Sequence, residues 1–148
     1  MDATDRKILA LLQENGRRTF GDIGSRVRLS APSVKRRVDR LMAQGALEGF
    51  TAIVDHGALG WHTEALVELF CRPGTSLDAV AETLRRHTEV VEAWSVTGEA
   101  DAIARVRTED NRDLERLIVE LQRDGRVERT RSQIVMSRLV SQPAAGAG

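Results

Sequence analysis

Between residues 64 and 139 the apolar pattern changes period in an order that few folds accept. Residues 64–71 alternate, with Ala65, Val67, Leu69 and Cys71 on one side and Leu66, Glu68 and Phe70 on the other, and such alternation marks a strand. Arg72-Pro73-Gly74-Thr75 breaks it. Residues 76–87 then carry Leu77, Val80, Ala81 and Leu84 at helical spacing. Residues 90–97 and 101–107 read as strands joined at Gly98-Glu99-Ala100, a hairpin. Helical spacing returns over residues 111–123 through Leu114, Leu117, Ile118 and Leu121, and residues 127–139 read as a last strand. The order β-α-β-β-α-β predicts a ferredoxin-like sheet with both helices on one face. The other face needs a cover, which predicts a dimer built on this half.

The first half is helical and ends in a basic helix. Asp2 or Thr4 caps a helix over residues 2–15 carrying Ile8, Leu9, Leu11 and Leu12, which stops at Asn15-Gly16. Thr19 and Asp22 have the spacing of a helix start, and Ile23 and Val27 share a face of the short helix that follows. Gly24 weakens that helix by about 1 kcal/mol against alanine, a cost accounted for if another helix approaches closely there. Over residues 30–45, Ser30 is an N-cap, Pro32 sits in the first turn and Gly45 is a stop. Val34, Val38, Leu41 and Met42 form its packing stripe, while Ser33, Arg36, Asp39 and Arg40 lie opposite. Short helix, tight turn and basic helix predict a helix-turn-helix docked on the first helix. Residues 50–55, Phe50-Thr51-Ala52-Ile53-Val54-Asp55, read as a strand, with a boundary near the glycines at 57 and 60.

Lys+Arg and Asp+Glu balance at 22 each, but the balance hides a gradient. Residues 1–60 hold 10 basic against 7 acidic side chains, and residues 17–40 hold 8 against 2. Positive charge therefore gathers around the third helix, as duplex DNA requires. Ser30, Ser33, Lys35, Arg36, Arg37 and Arg40 are the candidate DNA contacts, with Arg37 partly structural. Two Trp, three Phe and no Tyr argue against stacking on single-stranded bases. The lone Cys71 excludes an internal disulfide and fits a reducing cytosol, and no apolar run approaches a membrane span. A soluble, cytoplasmic protein is expected. His56, His62 and His87 show no metal-ligand spacing, and no nucleophile elbow or phosphate loop occurs, so neither a metal nor a catalytic site is expected.

Particular residues resemble the Lrp/AsnC (feast/famine) transcriptional regulators over positions 2 to about 140. They are Asp2, Asp5, Ile8-Leu9 and Leu12-Gln13-Glu14-Asn15-Gly16-Arg17 in the opening, then Leu29-Ser30, Val34, Arg37-Val38, Leu41 and Gly45-x-Leu47-x-Gly49-Phe50. Val96-Thr97-Gly98-Glu99-x-Asp101, Val127, Thr130-Arg131-Ser132 and Val135-Met136 continue the match. The resemblance implies an α+β chain: a winged-type helix-turn-helix domain (1–49), a strand and linker (50–62), a ferredoxin-like effector and oligomerisation domain (63–140) and a tail (141–148). It implies a near-palindromic double-stranded DNA operator, a homodimer assembling to an octamer, and an amino-acid effector at Gly98, Glu99, Asp101, Thr130 and Ser132, with no cofactor. Where the family usually has glycine in the helix turn, Arg28 stands here. Either Arg28 is left-handed, at about 1 to 2 kcal/mol, or the turn differs. Ala102 stands where an aromatic is common, and Arg126 replaces a frequent glycine. Two other readings compete: an architectural DNA-binding protein without an effector, and a small amino-acid-sensing or processing α+β protein.

Overall fold

A computed structural model describes residues 1–140 of the chain, so the tail over 141–148 lies outside the described residues. The chain falls into two compact units, Met1–Ile53 and Val54–Arg138. The break falls inside the segment read as strand and linker.

The first unit is three helices: α1 (Ala3–Glu14), α2 (Phe20–Val27) and α3 (Ala31–Ala43). Each start is written locally. Asp2 and Asp5 exchange backbone and side-chain hydrogen bonds in a capping box on α1, Thr19 accepts from the Asp22 N–H, and Ser30 accepts from the Ser33 N–H. Ile8, Leu12, Ile23, Val34, Val38 and Leu41 form the buried core. Arg18 ties α1 to α2 by donating to the Leu11 carbonyl at 3.1 Å and, at 2.8 Å, to both Glu14 and Asp22. Met42, expected in the packing stripe of α3, is 44% exposed. It stands one residue beyond Leu41, about 100° round the helix, and so past the edge of the stripe.

The turn between α2 and α3 settles the question posed by Arg28. Its φ of 59° and ψ of 46° are left-handed, and it is the one non-glycine residue with positive φ among the described residues. Leu29 N–H then donates to the Gly24 carbonyl at 2.9 Å. A Cβ on Gly24 would stand 2.4 Å from the Leu29 carbonyl oxygen. The close neighbour of Gly24 is therefore the turn backbone ahead of α3 rather than another helix as expected, and no larger residue fits this turn undistorted.

The expected strand over residues 50–55, and with it a wing, is absent, since residues 44–62 hold no strand, only a short 3-10 turn at Gly57–Leu59. A strand exists through ladder hydrogen bonds, and no stretch of the described chain pairs with this one.

The second unit is β1 (Thr63–Cys71), α4 (Leu77–Arg85), β2 (Val90–Ser95), β3 (Ala102–Thr108), α5 (Asn111–Arg123) and β4 (Val127–Ile134). The sheet order is β2-β3-β1-β4 and all its pairings are antiparallel. β4 stops at Ile134 rather than 139, although Val135 N–H still donates to the Glu64 carbonyl at 2.8 Å. Ala65, Val67 and Leu69 of β1 and Ala102, Ala104 and Val106 of β3 are buried with Val80, Leu84, Leu114, Leu117 and Leu121 of the two helices. The opposite face carries Leu66, Glu68 and Phe70 of β1. Register adds Ile103 and Arg105 from β3, Glu92 and Trp94 from β2, and Arg129 and Arg131 from β4.

Candidate nucleic-acid interface and hairpin cleft

Helix α3 displays its basic residues in three conditions. Lys35 pairs with Asp39 one turn on, at 2.6 Å. Arg37 reaches back to α1, its Nη1 donating to Asp2 at 2.7 Å and to Asp5 at 2.8 Å. Arg40 donates through Nη2 to both Asp5 oxygens, at 3.0 and 2.9 Å. Arg36 is exposed and makes no hydrogen bond or ion pair with any described residue. Ser30 and Ser33 sit at the helix start, where Ser30 Oγ donates to Ser33 Oγ at 3.0 Å. The six residues expected at the interface thus share one helix, but Arg40 is not the free side chain that helical spacing suggests.

Asp2 and Asp5 hold these arginines, a pairing that helical spacing alone does not show. Asp5 is 1% exposed, and its carboxylate is filled by Arg37, Arg40 and the Asp2 N–H. A bond from Arg37, together with the Asp5 N–H, holds the Asp2 carboxyl at about 2, below its ordinary 3.8. Burial pushes the Asp5 carboxyl up, but the Asp2 N–H, Arg37 and the charge of Arg40 outweigh it and the net direction is down. Both acids are therefore ionised partners of the two guanidinium groups. The available signal was the i, i+3 repeat of acids at the start of α1, which reads equally well as simple capping.

In the second unit the hairpin after β2 borders a cleft of about 470 Å³ on the open sheet face, walled by Val96, Ala100 and Ile103 and carrying Glu68, Glu99 and Arg131. Arg131 ion-pairs with Glu68 across the β1–β4 ladder, and that bond holds the Glu68 carboxyl below its ordinary range. Gly98 has φ +118°, which favours glycine at the turn. Of the candidate effector residues, only Glu99 lines this cleft. Asp101 instead closes the hairpin onto β1: its carboxylate accepts the Cys71 N–H at 2.7 Å, and its N–H donates to the Leu69 carbonyl at 3.0 Å. Thr130 and Ser132 pair with Leu69 and Val67, which face the helices, and Thr130 accepts from Gln122 of α5 at 3.2 Å. The structure therefore separates both from Glu99. Glu68 and Arg131 were the residues to find, since complementary charges at alternate positions of neighbouring strands are a register signal.

Among the described residues no helix is long and apolar enough to cross a membrane, and no cluster of His, Cys, Asp or Glu could hold a metal ion. A helix-turn-helix with an outward basic helix, followed by a four-stranded α+β unit, defines a class of DNA-binding regulator. Comparison with known proteins specifies it further. The AsnC-type helix-turn-helix model matches residues 1–42 and the Lrp/AsnC ligand binding domain matches residues 64–145. The chain belongs to the Lrp/AsnC family of transcriptional regulators. It is 46% identical to the HTH-type transcriptional regulator Rv2324 of Mycobacterium tuberculosis over 95% of each chain. It is 34% identical to the leucine-responsive regulatory protein of Rhizobium meliloti over 81% of this chain and 78% of that one. Its structure superposes, at a TM-score of 0.87 and 26% identity over 98% of this chain and 95% of the other, on the Neisseria meningitidis transcriptional regulator NMB0573 in complex with L-Met. These relatives are regulators that act on DNA, not enzymes, which removes the amino-acid-processing reading.

Proposed function

We propose that this regulator reads duplex DNA with α3 and that an amino acid, held at the hairpin cleft, shifts its assembly or its DNA affinity. The observation that carries the effector half is the composition of the cleft. Arg131 suits a ligand carboxylate, Glu99 and Glu68 suit an ammonium, and Val96, Ala100 and Ile103 suit an apolar side chain. The L-Met complex of the Neisseria relative supports the same ligand class. For the DNA half, Arg36 is the outward reader. Ser30, Ser33 and Lys35 flank it, while Arg37 and Arg40 stand on the same helix against α1.

The open sheet face also supports a homodimer. Leu66, Phe70 and Ile103 are only partly buried on it and Trp94 is 45% exposed, so a second copy has apolar surface to cover. Phe50, Ile53 and Val54, exposed on a stretch without a ladder partner, gain one in a dimer. By family resemblance such dimers assemble to octamers, act in the cytoplasm and bind near-palindromic operators, since a twofold protein presents two recognition helices. Sedimentation at micromolar concentration gives a dimer or a larger assembly, and a monomer contradicts the reading.

The direct test of the effector is a thermal-shift screen of the twenty amino acids. A ligand at 100 times its dissociation constant stabilises by about 2.7 kcal/mol. The expected hit is lost in Glu99→Ala and Arg131→Ala. A hit that persists in both places the pocket elsewhere, and a flat response to all twenty, with binding to many unrelated DNA sequences, favours the architectural reading.

A further inference from the structure

The Asp5 carboxylate sits beneath α3 at 1% exposure while the Arg40 side chain above it is 49% exposed. Arg40 spends one nitrogen, Nη2, on Asp5. Its Nε and Nη1 have no partner among the described residues. A guanidinium offers five N–H donors in a rigid plane, so a group held at one corner still presents the remaining donors in a fixed direction. Arg40 lies one turn after Arg36, and residues four apart on a helix share a face.

We infer that Asp5 is a positioning residue for DNA binding: it pins the Arg40 guanidinium so that its remaining donors meet a backbone phosphate in a preset orientation. The inference rests on the reading of α3 as the DNA face. The chemistry is a carboxylate–guanidinium–phosphate relay in which no bond is made or broken. An unrestrained arginine surrenders its rotamer freedom on binding, whereas one already held does not, so the carboxylate strengthens the phosphate contact without touching DNA. A lysine at position 40 has a single nitrogen, which cannot present the same fork to both partners. Asp2 shares Arg37 with Asp5, at 2.7 and 2.8 Å, and both Asp5 oxygens still accept from Arg40.

The test uses the full chain and a fluorescein-labelled random-sequence duplex, titrated by anisotropy at several potassium chloride concentrations. Folding of each variant is checked by circular dichroism at the assay temperature. Arg40→Ala should weaken binding about tenfold and lower the slope of log affinity against log salt by about 0.9, one phosphate contact. Asp5→Asn, which keeps a carbonyl for the capping box and removes the charge, should reproduce most of that loss and slope change. The double variant should bind no worse than Arg40→Ala, because the two residues act through one contact. A purely structural role for Asp5 leaves the salt slope of the folded protein unchanged and adds to the Arg40 loss, and either result overturns the inference. If Asp5→Asn does not fold, Arg40→Lys decides: a loss like that of Arg40→Ala supports the relay, and wild-type binding overturns it. If Arg40→Ala binds normally while Arg36→Ala does not, α3 remains the DNA face and only this inference fails. If both bind normally, the face assignment fails with it.

Discussion

The two units use arginine for opposite ends. In Met1–Ile53, Arg37 and Arg40 of α3 are held from below by Asp2 and Asp5 at the start of α1, and Arg36 is exposed without a partner among the described residues. On the open sheet face of Val54–Arg138, Arg105 pairs with Glu92 at 2.6 Å, Arg107 with Glu64 at 2.8 Å, and Arg131 with Glu68. Arg129 lies 3.7 Å from the Phe70 ring centroid, a cation–π contact. The first arrangement leaves positive charge for a polyanion, and the second neutralises its own charges between strands. Residues 61–148 hold 12 basic against 15 acidic side chains, the reverse of the first sixty. A neutralised face with aromatics suits a second protein surface, because charge left unpaired at a buried interface is costly. A chain balanced at 22 basic and 22 acidic side chains thus presents different surfaces according to which partners lie within reach.

The largest expected effect breaks the comparison at its extremes. Arg36→Ala should cost about 1 to 3 kcal/mol of binding to a duplex whose base it reads, roughly 5- to 150-fold. Arg105→Ala should leave DNA affinity unchanged. Equal losses from the two variants would erase the distinction between the faces.

Stability can be separated in the same way, because Trp61 and Trp94 both belong to Val54–Arg138 and their fluorescence reports that unit alone. Gly24→Ala forces a Cβ against the Leu29 carbonyl, which should cost about 1 to 3 kcal/mol by overpacking. Helical circular dichroism should then melt earlier with the tryptophan transition unmoved. Gly98→Ala meets open space and only a left-handed φ, so it should cost about 1 to 2 kcal/mol and move the tryptophan signal instead.

Acid provides a smaller, graded contrast. A carboxyl whose folded value is depressed contributes stability above its unfolded value and loses it as pH falls through the folded one. For Asp2 that window runs from 3.8 down to about 2. Glu64 and Glu68 are also lowered, from 4.5, so the second unit should begin to weaken at slightly higher pH. Melting temperatures should be level from neutrality to about pH 5 and fall below that, with Asp2→Asn flattening the fall in helical signal only. A fall centred near neutral pH would show that other groups govern acid stability.

Short-range signals were legible in the sequence. The caps at Asp2, Thr19 and Ser30, the bounds of α5 at Asn111–Arg123, and the close approach at Gly24 each depend on neighbours a few residues away. What escaped depends on partners far along the chain. Arg40 meets Asp5 across 35 residues, and nothing in the helical spacing of α3 says which arginine will find an acid. The resemblance implies Thr130 and Ser132 at the hairpin's pocket, whereas strand register pairs them with Leu69 and Val67 on the helix-facing side. β4 slips where it passes Phe70/Cys71, and a slip of one residue exchanges the faces of a strand. Residues 50–55 have the composition of a strand, but a strand requires a neighbour that composition does not supply. Arg28 departed from the family's glycine, and the chain accepted a strained residue there while keeping the turn.

Amide hydrogen exchange of the full chain, with and without saturating duplex DNA, tests the central claim most directly because it reports every element at once. The account predicts slowed exchange over residues 28–43, the turn and α3, with the start of α1 following through Asp2 and Asp5, and no DNA-dependent change along β4. Protection confined to the sheet, with α3 exchanging as in the free protein, would contradict it.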